Sequence, residues 1–331
     1  MRYTRLGRGG PRVSVVGLGF WQAGGRAWRA PGGSGWVAGV VGAALERGVS
    51  LFDTAEVYGW GRSERLLGEA LRAHGAGDEV VIASKVGGFR VARGLVARGV
   101  EAINRRLGRT VDVVQAHWPP PAWVPLCGVV RALEDAVLRG LAHHYGLSNY
   151  PAPLVERALE CARRVEPVSD QVQYSLAYRS PENRLQPLLR SRGLALVAWS
   201  PLAKGALAGA GRPRDPAQRG DPVFREAARD PALQGALDRV SSRLGIPRAT
   251  AALAWLVSRG AIPIPGTRRP GRVAEIALAG EVELPGWAVE ELDAASRRYL
   301  ERWGRCYGAL RFMRLIPCWA QYLAIRLAGG V

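Results

Sequence analysis

The chain has 331 residues, of which 48% are hydrophobic, and its formal net charge is +18. No uncharged apolar run reaches the roughly 18 residues that a membrane span needs, and no signal-peptide pattern opens the chain, so we expect a cytoplasmic protein without a membrane span. The basic residues are scattered and nearly all arginine, with Lys85 and Lys204 as the only lysines. We therefore interpret the charge as a solvated surface and expect no nucleic-acid partner.

Short apolar runs alternate with amphipathic stretches along most of the chain. Strands are predicted at 13–18, 49–52, 80–84, 111–116, 141–147, 168–174, 194–199 and 261–265. Helical periodicity follows at 37–46, 63–74 with Ser63 as the candidate N-cap, 96–107, 126–139, 151–164, 185–192, 250–259 and from about 270. Strands that alternate with helices form parallel sheets, and eight such units over about 280 residues predict an α/β fold, a (β/α)8 TIM barrel.

Three further segments accompany the eight units. Residues 3–6 and 11–13, joined by a Gly-rich turn, predict a β-hairpin that closes the bottom of the barrel. The connection 202–230 is rich in Gly, Pro and Arg, which is typical of a functional lid or belt. Residues 288–298 predict an extra C-terminal helix. We assign residues 1–300 to the barrel domain.

Residues 301–331 form a basic C-terminal extension, in which four arginines flank the apolar stretch 315–325. We expect this tail to pack on the mouth of the barrel. Peripheral contact with a membrane surface and a partner interface stay open as alternatives, because a basic amphipathic segment suits both.

Four cysteines lie at positions 127, 161, 306 and 318. None stands in a spacing that predicts a metal site, so we expect no bound metal. We expect four buried thiols, with a bridge between Cys306 and Cys318 as the alternative.

Four ionisable side chains end predicted strands or follow them closely, namely Asp53, Tyr58, Lys85 and His117. The carboxyl ends of barrel strands form the active site of this fold, so we expect the four to converge. Reduction of a carbonyl needs a proton for the oxygen, and a phenol with a pKa of about 10 donates it more readily beside a cation. The pattern predicts Tyr58 as the general acid, Lys85 as the group that lowers its pKa, Asp53 as the partner of Lys85, and His117 as the group that orients the carbonyl.

The sequence resembles the aldo-keto reductase superfamily over about residues 3–298. The motifs that carry the resemblance are VGLGFW at 16–21, LFDTAEVYG at 51–59, ASK at 83–85, HWP at 117–119, GLSN at 146–149, WSPL at 199–202 and IPGTR at 264–268. Their order and placement at strand ends are specific, although each motif alone is weak. By this resemblance the four ionisable residues match the catalytic tetrad of the family.

The resemblance implies a nicotinamide cofactor, NADPH or NADP+, across the barrel mouth. The implied cofactor-binding residues are Gly19, Phe20, Trp21, Ser148, Asn149, Gln171, Trp199, Ser200, Pro201, Leu202, Lys204, Leu207, Gly266, Thr267, Arg268, Arg272 and Glu275. Arg272, with Arg268 and Thr267, matches the adenosine 2′-phosphate site, where guanidinium groups near a helix N-terminus bind anions. Ile276 departs from the family, which often has Asn there. Trp21 and Trp118 are the expected walls of the substrate pocket.

The predicted activity is NADPH-dependent, reversible reduction of aldehydes or ketones to alcohols, with a small carbonyl compound as substrate. One alternative is an NADPH-binding regulatory module with slow turnover, because residues 199–205 also resemble the channel β-subunit branch of the family. A second alternative is binding of polyanions through the charge of +18, which predicts affinity that falls steeply with salt.

Overall fold

The computed structural model describes residues 1–25, 27–28 and 34–303. Its first element is an antiparallel hairpin of β1 (Tyr3–Arg5) and β2 (Arg12–Ser14). Val13 of β2 and Leu6, which follows β1, are fully buried among residues of the barrel interior such as Val81 and Val197. The hairpin therefore closes one end of the barrel, as predicted.

Eight parallel strands form the barrel in chain order. They are β3 (Leu18–Gly19), β4 (Leu51–Asp53), β5 (Val81–Val86), β6 (Val111–Ala116), β7 (Ala142–Ser148), β8 (Ser169–Gln173), β9 (Ala195–Trp199) and β10 (Ala261–Pro263). The first and last strands meet through two hydrogen bonds, from Gly17 N to Pro263 O (2.9 Å) and from Gly19 N to Pro265 O (3.0 Å). The predicted TIM barrel is confirmed.

Helices cover the outside of the barrel. They are α1 (Trp36–Leu45), α2 (Arg62–Ala73), α3 (Arg93–Leu107), α4 (Leu126–Leu138), α5 (Ala152–Cys161), α6 (Leu185–Arg192), α7 (Pro216–Arg219), α8 (Pro222–Arg229), α9 (Pro231–Leu244), α10 (Arg248–Ser258), α11 (Val273–Leu278) and α12 (Gly286–Trp303). The predicted N-cap of α2 was wrong. Gly61, with a left-handed φ of 85°, occupies the cap, and the hydroxyl of Ser63 instead donates to Phe20 O at 2.7 Å.

The segment between β9 and α10 is more helical than the sequence predicted. Besides a 3-10 stretch at Ala203–Ala208, it contains α7, α8 and α9. Each of these helices begins with an aspartate as N-cap and a proline at the first helical position, in the pairs 215–216, 221–222 and 230–231. We call residues 203–221 the belt, because they line the barrel mouth.

The expectation of four buried thiols was wrong for two cysteines. Cys127 of α4 and Cys161 of α5 form a disulfide, with their Cα atoms 4.9 Å apart. The bond joins two neighbouring helices of the outer layer. Cys306 and Cys318, together with the tail expected to pack on the barrel mouth, lie outside the described residues. Among the residues that are described, no helix has the length and apolar character of a membrane span.

Candidate active site at the carboxyl ends of the barrel strands

A cavity of about 870 Å³ opens where the barrel strands end. The predicted site residues on its wall are Gly19, Trp21, Asp53, Tyr58, His117, Trp118, Ser148, Asn149, Gln171, Trp199, Ser200, Pro201, Leu202, Lys204, Gly266, Thr267, Arg268, Arg272 and Glu275. Lys85 lies just behind this wall, where it contacts Asp53. Residues that are distant along the chain thus share one chamber.

Phe20 and Leu207, which were also predicted as cofactor contacts, do not line this cavity. The Phe20 side chain is 1% exposed and packs on Phe52, with ring centroids 6.1 Å apart. Leu207 is fully buried in the core that the belt covers. The side chains of both residues pack in the apolar core rather than in the cavity wall.

A buried ion pair forms the floor of the cavity. Lys85 Nζ donates to Asp53 Oδ1 at 2.6 Å, to Asp53 Oδ2 at 2.8 Å and to Thr54 O at 2.8 Å. Gln171 Nε2 also donates to Asp53 Oδ2, at 2.7 Å. Burial raises the pKa of Asp53 and lowers the pKa of Lys85, and the attraction between the two opposes both shifts. Three acceptor contacts around Nζ favour the ammonium form.

Tyr58 lies over this pair, with Lys85 Nζ 5.3 Å from the centroid of its ring. Its ring meets the His117 ring edge to face, with centroids 5.7 Å apart. Burial raises the pKa of Tyr58 well above its ordinary value, and the charge of Asp53 raises it further. The net direction is set by burial and by the charge of Asp53, so the lowering of this pKa by Lys85 stays a prediction.

His117 follows the last residue of β6 and is 5% exposed. Its ring stacks on Trp118 at 3.8 Å between centroids. Nδ1 is buried and has no hydrogen-bond partner among the described residues. Burial lowers the pKa of His117 well below its ordinary value, and the charge of Lys85 lowers it further. The imidazole is therefore neutral near pH 7 and can donate through only one nitrogen.

The candidate nicotinamide wall is linked by hydrogen bonds. Asn149, which adopts a left-handed φ of 64°, donates through Nδ2 to His117 O at 2.9 Å. Its Oδ1 accepts from Trp199 Nε1 at 2.9 Å. Ser148 Oγ donates to Gln171 O at 3.0 Å. Asn149 Nδ2 also donates to Ser148 Oγ at 3.2 Å, so these four predicted cofactor-binding residues form one connected surface that also contacts His117.

Another part of the cavity wall carries arginines. Arg268 pairs with Asp215 of the belt, at 2.9 Å from Nη2 to Oδ2. Arg272 Nη1 lies 2.7 Å from each carboxylate oxygen of Glu275. Lys204 contributes no free charge, because its Nζ contacts Asp221 Oδ2 at 2.6 Å and donates to Ala217 O at 2.9 Å. Carboxylates thus pair with all three cations, including the two arginines predicted to bind the 2′-phosphate.

Several residues of the cavity wall were not predicted from the sequence. They are Gln22, Trp28, Gly205, Ala208, Gly209, Ala210, Gly211, Arg212, Arg214, Asp215, Gln218, Ala249, Ile264, Pro265, Arg269 and Ile276. Most belong to the belt, whose fold was not predicted. Trp28 is only 7% exposed, and its ring meets Trp21 edge to face at 5.4 Å. The Asp-Pro pairs that begin α7, α8 and α9 were a usable signal for the helices in and after the belt.

Comparisons of the sequence and of the structure with known proteins point to one family. The model of the aldo/keto reductase family matches residues 15–297. An uncharacterized oxidoreductase of Mycobacterium tuberculosis is 33% identical over 300 residues, which cover 87% of this chain and 91% of that protein. A probable voltage-gated potassium channel subunit beta of Oryza sativa subsp. japonica is 30% identical, covering 83% and 90%. The crystal structure of an aldo-keto reductase from Klebsiella pneumoniae in complex with NADPH has a TM-score of 0.73 and 28% identity, covering 90% and 95%.

Proposed function

Since this chain belongs to the aldo/keto reductase family of oxidoreductases, we propose that it reduces aldehydes or ketones to alcohols with NADPH, and that Tyr58 is the proton donor. The observation that carries this proposal is the buried pair of Lys85 and Asp53 directly beneath Tyr58 and His117. A phenol, a neutral imidazole and a desolvated ion pair around one cavity match the needs of a carbonyl oxygen that gains a proton.

The residues around the cavity fit NADPH. A cavity whose wall carries an indole, a hydrogen-bonded amide and guanidinium groups suits a ligand with an aromatic ring and phosphates. We assign Ser148, Asn149 and Trp199 to the nicotinamide, and Arg268 and Arg272 to the 2′-phosphate. The solved relative from Klebsiella pneumoniae supports NADPH as the cofactor because it contains NADPH.

NADPH, when bound, supplies the hydride for the carbonyl carbon. The Tyr58 hydroxyl gives its proton to the carbonyl oxygen, and its raised pKa keeps the proton in place near pH 7 until oxygen becomes basic enough to take it. His117 donates one hydrogen bond to the same oxygen and orients it. Trp21 and Trp118 exclude water and favour carbonyl compounds with an apolar body.

The variant Tyr58→Phe tests the assignment of the acid. It keeps the ring contacts and removes the proton, so the rate of NADPH oxidation by an aldehyde panel should fall by about 10²–10⁴. Binding of NADPH, followed by fluorescence, should be retained. Full activity in this variant would refute Tyr58 as the donor.

A second candidate function is a regulatory module that binds NADPH and turns over slowly. The relative from Oryza sativa, whose name describes it as a probable channel subunit, favours this candidate. The two functions separate in the wild-type protein. Near-zero turnover on every carbonyl compound, with tight NADPH binding and a stable oligomer, would favour the regulatory module over the reductase.

A further inference from the structure

We propose that Glu56 is a positioning residue, which holds the turn that carries Tyr58 against the strand that carries Lys85. The inference rests on the proposed function, because it concerns the geometry of the same reaction. Glu56 does not line the cavity, so it acts through Tyr58 and not on the substrate. Glu56 is 4% exposed. A charged side chain is tolerated at such a buried position only because it is paired and hydrogen-bonded there.

Glu56 connects the turn to β5 through both its backbone and its side chain. Its backbone N donates to Lys85 O at 3.0 Å, and its Oε2 accepts from Gly87 N at 3.0 Å. These two contacts bracket the end of β5, one at Lys85 and one just beyond the strand. Tyr58 N in turn donates to Ala55 O at 3.0 Å, so the phenol follows wherever this turn is placed.

Arg90 joins the same carboxylate to helix α3. Its Nε donates to Glu56 Oε1 at 2.9 Å and to Oε2 at 2.8 Å, and its Nη2 also contacts Oε1. Its Nη1 donates to Leu95 O at 3.1 Å. A Cβ atom on Gly99 would lie 2.6 Å from Arg90 Cδ, so the glycine leaves room for the arginine. These contacts hold the Arg90 guanidinium in one position, and Glu56 is thereby linked to helix α3.

The turn after Tyr58 needs such an external hold. Gly59, Trp60 and Gly61 all have left-handed backbones, with φ values of 62°, 54° and 85°. A non-glycine residue such as Trp60 occupies this region at a cost, so the local sequence alone does not select the conformation. Glu56 is anchored to the barrel and to α3 just before this turn, and it thereby fixes where the turn begins.

The variant Glu56→Gln tests the inference with little change in shape. The Gln amide must present N–H hydrogens toward the N–H donors of Gly87 or Arg90, so at least one contact is lost. A displacement of about 1 Å in a reacting group costs on the order of 10² in rate. We expect the single-turnover rate of hydride transfer to fall at least about tenfold. The Kd for NADPH should change by no more than about twofold, because the assigned cofactor residues share no partner with Glu56.

Glu134→Gln is the matched control. Glu134 is a carboxylate with similar burial, 5% exposed, and it accepts from the backbone N of Arg163 (3.0 Å) and of Val165 (2.8 Å). It lies in α4 and does not line the cavity. This control should lower the unfolding temperature without lowering the rate of hydride transfer. Arg90→Gln should reproduce the slow rate of Glu56→Gln, and the double variant should be no slower than either single one.

The inference is overturned if Glu56→Gln transfers hydride at the wild-type rate, or if Glu134→Gln slows the reaction equally. Amide hydrogen exchange gives a readout that does not need turnover. In Glu56→Gln the amide of Tyr58 should lose protection while the amides of β6 keep theirs, and unchanged protection would also overturn the inference. If the wild type reduces no carbonyl compound, the proposed function fails, whereas the exchange result still decides whether Glu56 holds the turn.

Discussion

The two ends of the cavity are built on different principles. At one end, Lys85 and Asp53 have side chains that are 0% and 4% exposed and stand at the ends of adjacent strands. At the other end, the side chains of Arg268 and Arg272 are 27% and 52% exposed and follow the last strand in a loop and a short helical turn. We call the first the dry end, because its charged side chains are buried and fixed by the sheet. We call the second the wet end, because its arginines are partly exposed and held by loops.

This difference separates the residues proposed to take part in the reaction from those proposed to bind the cofactor. A desolvated pair cannot exchange its partner without leaving a buried charge, so the reacting end is assembled before any ligand arrives. The pair of Arg272 and Glu275 is the exposed one and is worth little, so Glu275 can yield the arginine to a phosphate at small cost. Changes at the dry end should therefore affect folding and rate, whereas changes at the wet end should affect binding alone.

Lys85→Met should have the largest effect on stability. It leaves the Asp53 carboxylate buried without its cation, which costs about 3–5 kcal/mol in the free energy of unfolding. Denaturant titration measures this change. The double variant Asp53→Leu/Lys85→Met should recover part of the loss, because it also removes the unpaired charge. A loss below about 1 kcal/mol in the single variant would mean that this end is not dry.

Arg272→Ala should weaken NADPH binding without affecting folding. Hydrogen bonds to a charged group contribute about 1.5–3 kcal/mol, which is about tenfold to 100-fold in the Kd. NADH lacks the 2′-phosphate and should bind with unchanged affinity, which makes it the control ligand. Equal weakening for both cofactors, measured by fluorescence titration, would place Arg272 elsewhere than at the 2′-phosphate.

His117 should make the dry end sensitive to acid. The pKa of His117 is held well below the ordinary 6.5. Below pH 6.5 the histidine is therefore protonated in the unfolded chain but stays neutral in the folded chain. The free energy of unfolding should then fall as the pH drops, by at most about 1.4 kcal/mol per pH unit for this group. His117→Gln should flatten the profile, and the difference from wild type isolates His117 from His144, whose pKa burial also lowers.

Glu275→Gln should have the smallest effect. Its pair with Arg272 is exposed, and such pairs contribute about 0.2–1 kcal/mol, so the midpoint of unfolding should barely move. NADPH should bind equally well or more tightly, because the arginine loses a competitor for the phosphate. A marked loss of stability would show that the wet end also depends on its ion pairs.

The sequence predicted the dry end better than the wet end for a physical reason. Asp53, Lys85 and His117 stand at or next to strand ends, and a closed barrel brings the ends of its strands together whatever the loops do. The net direction of the pKa of Tyr58 could not be predicted, because its largest cause is burial, which depends on how the chain packs in three dimensions. The polar partners Asp215 and Asp221 were missed because the belt was taken for an irregular connection.

The disulfide between Cys127 and Cys161 has a practical consequence for any study of this protein. A cross-link that closes about 34 residues restricts the unfolded chain and typically adds about 2–4 kcal/mol to the free energy of unfolding. Purification with or without a thiol reagent will then yield two covalent species with different melting temperatures. Comparisons among variants are meaningful only at a stated thiol content, and a mass difference of two hydrogens is the check that distinguishes the species.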